Sequence, residues 1–442
     1  MIPNLPSHAV RHQAKTILDL LEAILGRVQE GFPADATLQD IYRRRHEFGA
    51  RDRRLYSSVV FSFFRWRGWA DLASELPLAT RASAAYRLDF PDSHPAMDLL
   101  APLPPPSEPL DSTGAKARQI ARWLQLDHAP SPQLLIPAKL AALLPSPDTG
   151  ETDENLETRL VDAFQTRPPT WLRVRAGSEP LVRLAYSAIG STPVPHPHLP
   201  LAWQAPDQAH LADFLATCQG RIEIQDVSSQ AISLLAGAKA GDNWWDVCAG
   251  AGGKSLHLAD LTHGRAHILA SDVRASALKE AAKRIRHAGL EQSIRLRGMD
   301  VTQDPLPAKH FDGVLVDAPC SGTGTWSRNP DARWRTTPAQ VAAYAETQMA
   351  ILTRVANAVK LGGVLVYATC SLTDTENIRV LDQFLTTRAD FKLTPFLNPL
   401  LGKPTPGWAT FWPWDGPGTG MFAARLTRTS AGSSNRQETP PS

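Results

Sequence analysis

Val314-Leu-Val-Asp-Ala-Pro-Cys-Ser-Gly-Thr-Gly-Thr325 is the stretch around which the fold of this chain is organised. It opens as a short apolar run ending at Val316, the pattern of a buried strand. It then carries Asp317, Pro319 and Cys320 into a loop that glycines keep open. A second apolar run, Val364-Leu-Val-Tyr-Ala-Thr-Cys-Ser371, repeats the arrangement and ends on Cys370. Sequential strands of this kind are expected side by side, about 4.8 Å apart. Two sulfurs at their ends would flank one planar ring, with the Asp317 carboxyl beside them.

Upstream, from Asn243, the order strand, glycine turn, helix repeats. Strands are expected over Trp244–Cys248, His267–Asp272, Ile294–Met299, Val314–Val316 and Val364–Ala368. Helices begin near Leu256, Ala275 and Val341. Such alternation predicts an α/β fold with a parallel, doubly wound sheet. Ligands of open parallel sheets sit at the carboxyl ends of the strands. Here those ends carry Asp246 to Gly253, Asp272, Asp300, Asp317 and Cys370. The turn Cys248-Ala-Gly-Ala-Gly-Gly-Lys254 lacks the glycine a phosphate loop needs at 248, and Ser255 stands where a dinucleotide fingerprint needs its third glycine. An adenosyl ligand without a diphosphate fits better. An acidic residue such as Asp272 is placed for ribose hydroxyls, with Asp300 and Asp317 flanking an adenine.

The cysteines point to the chemistry. Of the four, Cys218, Cys248, Cys320 and Cys370, none has the close Cys or His partner of a metal site, so no metal is expected. Cytosine is not nucleophilic at carbon 5. Sulfur addition at carbon 6 makes carbon 5 enamine-like and able to take a methyl group. The Asp317 carboxyl is placed to hydrogen-bond ring nitrogen 3 and offset developing charge. Cys218 and Cys248 read as small buried hydrophobes.

The N-terminal part, His12 to Tyr86, reads as helical. Ile17, Leu18, Leu21, Ile24, Leu25 and Val28 recur at helical spacing. A following stretch carries Arg43, Arg44, Arg45, Arg51, Arg53, Arg54, Arg65 and Arg67 among Tyr42, Phe48, Tyr56, Phe61, Phe63, Phe64, Trp66 and Trp69. The aromatics suit a helical core. The arginines suit either a solvated face or contact with RNA phosphates. Residues 91–114, with Pro104-Pro-Pro106, read as a long loop. Pro147-Asp-Thr-Gly150 reads as a turn closing the first domain. Trp171-Leu-Arg-Val-Arg175 alternates as a strand, with Arg173 and Arg175 on a basic face that is solvated or RNA-facing. The tail 430–442 is polar and expected to be disordered. A formal charge of +2 over 442 residues decides nothing by itself. No apolar run spans a bilayer, and MIPNLPSHAV lacks the layout of a signal peptide, so a cytoplasmic location and no membrane partner are expected.

Asp317-Ala-Pro-Cys-Ser-Gly-Thr-Gly324 with Arg328-Asn-Pro-Asp331 and Trp334 resembles the fourth motif of the Sun/Fmu-type (RsmB/Nop-type) RNA cytosine-5 methyltransferases. Tyr367-Ala-Thr-Cys-Ser-Leu372 with Glu376-Asn377 resembles their sixth. Gln225-Asp-Val-Ser-Ser-Gln230, the glycine turn and Pro168-Pro-Thr-Trp-Leu-Arg-Val174 are similar to their entry segment, cofactor loop and preceding subdomain. Gly49-Ala-Arg-Asp-Arg-Arg54 looks like the NusB-like domain of bacterial small-subunit rRNA members. The resemblance implies a Rossmann-like class I methyltransferase domain over 225–428. A small α+β RNA-binding subdomain over 149–224 and a helical NusB-like RNA-binding domain over 1–148 would precede it, with a tail from 429. It implies S-adenosylmethionine as cofactor, held by Cys248, Ala249, Gly250, Ala251, Gly252, Gly253, Lys254, Asp272, Asp300 and Asp317. It makes Cys370 the nucleophile and Cys320 the group assisting release, with 16S rRNA as substrate and a monomer as default. Two departures stand out. Gly250-Ala251 replaces Ala-Pro in the cofactor loop, and Thr419-Gly-Met-Phe422 replaces the usual Asp-Gly-Phe-Phe. The rival readings are a DNA cytosine methyltransferase using Cys320, an amino-group methyltransferase, and a catalytically idle RNA-binding assembly factor.

Overall fold

The structure is a computed structural model that describes residues 7–145, 156–207, 210–308 and 310–429. The turn expected at Pro147-Asp-Thr-Gly150 and the tail 430–442 lie outside the described residues. The backbone forms two compact units, Met1–Arg167 with Thr325–Pro338, and Pro168–Gly324 with Ala339–Ser442.

The first unit is helical. Its longer helices are Ser7–Gln29, Ala34–Arg44, Ala50–Ala70, Leu78–Asp89 and Thr113–Leu124. Ile17, Leu21, Ile24 and Val28 are buried along one face of the first, as their spacing requires. Phe48, Tyr56, Phe63, Phe64, Trp66 and Trp69 are buried too, so the aromatics do build a core. The arginines divide. Arg43, Arg44, Arg45, Arg51 and Arg54 are exposed. Arg65 is buried and ion-paired to Asp89, which also accepts from Ser62 Oγ at 2.7 Å and Trp66 Nε1 at 2.8 Å. Pairing of this kind offsets the cost of burying a cation.

Residues 91–114 are not a plain loop. A short helix, Pro95–Leu100, starts where His94 Nδ1 accepts the Ala96 amide at 3.1 Å. The carbonyl of Pro104 accepts from Trp123 Nε1 at 2.9 Å and Arg87 Nη1 at 3.1 Å, which pins the proline run. Thr325–Pro338 belongs to this helical unit although it follows the Cys320 loop directly. Its Arg333 is fully buried and donates to the carbonyls of Leu135 at 2.9 Å, Phe164 at 3.1 Å and Trp326 at 3.3 Å. Burial pushes that guanidinium down to about 9 without neutralising it at pH 7. Trp334 Nε1 donates to the Phe64 carbonyl at 2.8 Å.

The second unit begins with a three-stranded antiparallel sheet of β1 (Trp171–Val174), β2 (Ala202–Gln204) and β3 (Ile222–Ile224), ordered β2-β1-β3. The expected solvated or RNA-facing basic face on β1 is corrected here. Arg173 is 2% exposed, and it donates to Gln225 Oε1 at 2.8 Å and pairs with Asp260. Arg175 reaches the same carboxylate at 2.8 Å. Asp260, from the helix Gly253–Leu261, turns this strand face into an interior one.

The main sheet contains β4 (Asn243–Asp246), β5 (His267–Asp272), β6 (Ile294–Gly298), β7 (Phe311–Asp317), β8 (Val359–Thr369), β9 (Phe391–Leu393), β12 (Trp408–Phe411) and β13 (Met421–Arg428). A separate hairpin pairs β10 (Phe396–Leu397) with β11 (Pro404–Thr405). The order is β12-β13-β8-β7-β4-β5-β6, with β9 against β13. From β8 to β6 the pairs are parallel, while β13 is antiparallel to its neighbours. This is the doubly wound α/β sheet that the strand-helix alternation predicts. Helices Val227–Ala236, Gly253–Leu261, Ala275–Ala288, Pro338–Val355 and Ile378–Thr387 accompany it. Among the described residues no helix is long and apolar enough to cross a membrane.

Candidate active site

β7 and β8 are parallel neighbours, with Asp317 opposite Ala368. The chain leaves β7 through Ala318, whose amide donates to the Ala368 carbonyl at 2.9 Å. Three residues past Asp317 and two past Ala368, the sulfurs of Cys320 and Cys370 meet at 3.2 Å. Hydrogen bonding to Cys370 raises the Cys320 thiol well above its ordinary range, with burial adding to the effect. Either sulfur can donate to the other across this contact.

A buried carboxylate fixes both cysteine loops. Glu376 accepts from the Ser321 amide at 2.8 Å, the Ser321 hydroxyl, Ser371 Oγ at 2.7 Å, Thr373 Oγ1 at 3.0 Å and Gln348 Nε2 at 3.1 Å. Ser321 and Ser371 are the residues directly after the two cysteines, so one side chain ties both. Gln348 also donates to the Pro319 carbonyl at 2.9 Å. Gly324 closes the loop: its amide donates to the Cys370 carbonyl at 2.9 Å, and a Cβ there would lie 2.0 Å from the Gly420 carbonyl oxygen. No side chain fits.

The glycine turn lies beyond Asp317. Lys254 Nζ donates to Asp317 Oδ2 at 2.6 Å. Burial works to lower the Lys254 pKa, but the Asp317 charge and hydrogen bond outweigh it and hold it above the ordinary value. Burial raises the Asp246 carboxyl to about 7 although Ser255 Oγ donates to it at 2.6 Å. Its other oxygen has no hydrogen-bond donor among the described residues. Burial, reinforced by the Asp246, Asp317 and Asp272 carboxylates, pushes the Cys248 thiol up and keeps it neutral.

Asp272 is 5% exposed and accepts from the Gly250 amide at 2.8 Å, the Arg274 amide at 2.8 Å and the Arg274 guanidinium at 3.0 and 3.1 Å. Burial opposes ionisation there, but these bonds hold the carboxyl below its usual range. The amide and hydroxyl of Thr302 lower Asp300 in the same way. Arg284 braces the turn from behind, donating to the Ala251 carbonyl at 2.9 Å and pairing with Glu223 at 2.7 Å.

One cleft of about 870 Å³ is lined by Cys248, Ala249, Gly250, Ala251, Gly253, Lys254, Asp272, Asp300, Asp317, Cys320 and Cys370. Those residues, singled out from the sequence, are brought together. Gly252 is not in the lining. It sits at φ +79° before the helix Gly253–Leu261, where a Cβ would come 3.2 Å from Ala281 Cβ. Glu376, Gln348, Arg274 and Arg284 had no assigned part. Glu376 stood within the quoted sixth-motif segment, but spacing alone does not reveal the five donors gathered on it. Among the described residues no group of three or more His, Cys, Asp or Glu is placed to hold a metal.

The lining also tests which cofactor fits. Asp246, Asp272, Asp300 and Asp317 face the cleft, while Lys254, Arg274 and Arg284 are each already paired to a carboxylate. A diphosphate would meet net repulsion there. A cationic ligand bearing ribose hydroxyls and an ammonium group meets acceptors, including the unpartnered oxygen of Asp246.

A largely parallel sheet of this order, with a glycine turn and carboxylates at successive strand ends, defines a Rossmann-like α/β domain with its ligand cleft at the carboxyl ends of the strands. Residues 233–427 match the family model "16S rRNA methyltransferase RsmB/F". The ribosomal RNA small subunit methyltransferase B of Serratia proteamaculans is 30% identical over 273 residues, covering 61% of this chain and 62% of that protein. The matched part spans between 40% and 62% of the length of the first curated relatives. In fold, the crystal structure of PH0851 is similar over 96% of this chain and 99% of its own, at 22% identity and a TM-score of 0.70. The crystal structure of NSun6 from Pyrococcus horikoshii with SFG covers 66% of this chain and 98% of its own, at 19% identity and a TM-score of 0.57.

Proposed function

We propose that this protein transfers a methyl group from S-adenosylmethionine to carbon 5 of a cytidine in RNA, with 16S rRNA as the substrate class. The observation that carries this reading is the pair of sulfurs 3.2 Å apart beside the Lys254–Asp317 ion pair. Bound in the cleft, the cofactor supplies an electrophilic methyl group. Gly250, Ala251, Gly253 and Cys248 offer backbone and a neutral thiol wall against it, and Asp272 and Asp300 offer acceptors.

Cys370 is the nucleophile in this reading. Its sulfur bonds to carbon 6 of the base, and the electron pair moves toward carbon 5 and nitrogen 3. The Asp317 carboxyl meets nitrogen 3, with the Lys254 ammonium next to it. After carbon 5 is methylated, a base removes its proton and the electron pair expels the Cys370 sulfur. Cys320 assists that release.

Residues 1–148 act as a NusB-like RNA-binding domain, 149–224 as a small RNA-binding subdomain and 225–428 as the catalytic domain. The exposed Arg43, Arg44, Arg45, Arg51 and Arg54 supply phosphate contacts. A cytoplasmic monomer completes the proposal. Its test is capture of the protein by a small-subunit rRNA transcript containing 5-fluorocytidine. A covalent complex through Cys370 is expected. Capture through Cys320, or tritiated adenosylmethionine that labels no RNA, would overturn it.

A further inference from the structure

Trp412-Pro-Trp414 opens the connection between β12 and β13. Its two indoles are stacked in parallel, with centroids 5.2 Å apart and planes 6° apart. They differ from the tryptophans of the sheet unit that are fully buried, Trp171, Trp203, Trp244 and Trp245, because both are only half-buried. A preformed aromatic stack that keeps part of its surface at solvent offers a face on which another π system can stack.

The connection is held rigidly. Asp415 Oδ2 accepts the Trp412 amide at 2.9 Å. A Cβ on Gly416 would lie 2.5 Å from His196 Nε2, and one on Gly418 would lie 2.8 Å from Val227 Cγ1. Trp171 Nε1 donates to the Pro417 carbonyl at 2.6 Å, and Thr419 Oγ1 donates to Asp226 at 2.9 Å. Thr419 stands where the related motif has an acidic residue, and here its hydroxyl secures this end of the connection.

Its location is set by the sheet. β12 and β8 are both antiparallel to β13, and so run the same way. Phe411 pairs with Met421, and Phe422 pairs with Thr369. Trp412 and Cys370 therefore emerge from the same edge of the sheet, separated by two strand spacings, or about 10 Å. The far end of the connection reaches the Cys320 loop, where the Gly420 amide donates to the Gly324 carbonyl at 2.8 Å. One or two nucleotides of an extended strand bridge such a gap. An enzyme that extracts a base from its stack leaves the neighbouring bases without a partner. Aromatic side chains take their place because every base has a π face.

We propose that Trp412 and Trp414 form the stacking platform for an RNA nucleotide flanking the target cytidine. The proposal rests on the RNA methyltransferase reading above and adds a substrate subsite to it.

The test uses the full chain and two fluorescein-labelled 12-nucleotide single-stranded RNAs, oligocytidylate and a fully abasic oligomer of the same length. The double variant Trp412→Ala, Trp414→Ala is expected to bind oligocytidylate about tenfold more weakly than wild type. On the abasic oligomer the two proteins should bind alike, because no base is there to stack. Trp412→Phe, Trp414→Phe should retain most of the affinity, which separates loss of a ring from loss of the fold. With small-subunit rRNA transcript as methyl acceptor, the alanine pair should raise KM. Unchanged oligocytidylate binding, or an equal loss on both oligomers, would overturn the platform. If wild type labels the transcript and the alanine pair still binds oligocytidylate normally, the platform fails and the methyltransferase reading stands. If wild type labels nothing, that reading fails, and the two oligomers still decide whether the indoles stack on bases.

Discussion

The cysteine loops and the glycine turn share one cleft but are built on opposite principles. Around the cysteines, among the described residues, no buried side-chain nitrogen or oxygen lacks a hydrogen-bond partner. Glu376 alone gathers five donors from four residues, and two of those residues adjoin the sulfurs. Around the glycine turn, demands are left open or met provisionally. One oxygen of Asp246 has no donor among the described residues, and Asp272 is held by a guanidinium whose side chain is 65% exposed. A region that must hold reacting atoms in register is saturated in advance. A region that must exchange one ligand for another keeps acceptors in reserve.

The contrast can be broken most directly at the sulfurs. Cys370→Ala should lower methyl transfer on the order of a thousandfold or more, since the proposed mechanism leaves no other group to act as nucleophile. Cys320→Ala should instead accumulate a protein–RNA adduct visible as a shifted band on a denaturing gel. Exchange of those two phenotypes would reverse the proposed roles. Next in size is the hub beneath them. Glu376→Ala strands several buried donors and should cost about 3 kcal/mol or more in urea unfolding. Glu376→Gln preserves the shape and should cost less. Loss below about 1 kcal/mol for the alanine variant would mean that the loops do not depend on this carboxylate.

On the ligand side the effects become smaller and depend on pH. The Asp246 carboxyl lies at about 7 in the folded chain, above its unfolded value of about 3.9. The folded state thus binds this proton more tightly, and the stability from this group falls as pH rises from about 4 to about 7. Asp246→Asn should remove that slope, which amounts to at most about 4 kcal/mol. In thermal melts the variant should gain on wild type between pH 5 and pH 8; a constant difference would show that Asp246 ionises without strain. Arg274→Ala should change stability by no more than about 0.5 kcal/mol, because its side chain is largely solvated. Calorimetry should show adenosylmethionine binding several-fold tighter once Asp272 is released. Weaker binding would make Arg274 a ligand contact and not a placeholder.

The same contrast explains what could be read from sequence. Strand ends are legible because an apolar run followed by Asp or Cys marks both a strand and its exit, as at Val314–Asp317 and Val364–Cys370. Parallel order then brings those exits to one edge without further information. The glycine turn is legible because Gly250 and Gly252 adopt φ of +55° and +79°, which few other residues tolerate. The fate of charged side chains is less legible. Arg173 alternates with apolar neighbours like any surface residue, yet Asp260, 87 residues further on, makes its face an interior. Glu376 gives no local sign of the serines it joins. Nor does any periodicity show that Thr325–Pro338 is housed with the N-terminal helices and not with the sheet whose loop it continues.

That housing has a practical consequence for anyone wishing to work with fragments. A clip at residue 167 looks like a natural place to divide the protein, but it would send Thr325–Pro338 away with the wrong half. The guanidinium of Arg333 would lose the carbonyls of Leu135 and Phe164, and the indole of Trp334 would lose that of Phe64. A shortened recombinant product would thus carry a raw, partly charged wound a few residues beyond Cys320. Catalytic cores of this architecture should be handled as whole chains, or supplied with a redesigned bridge across 325–338.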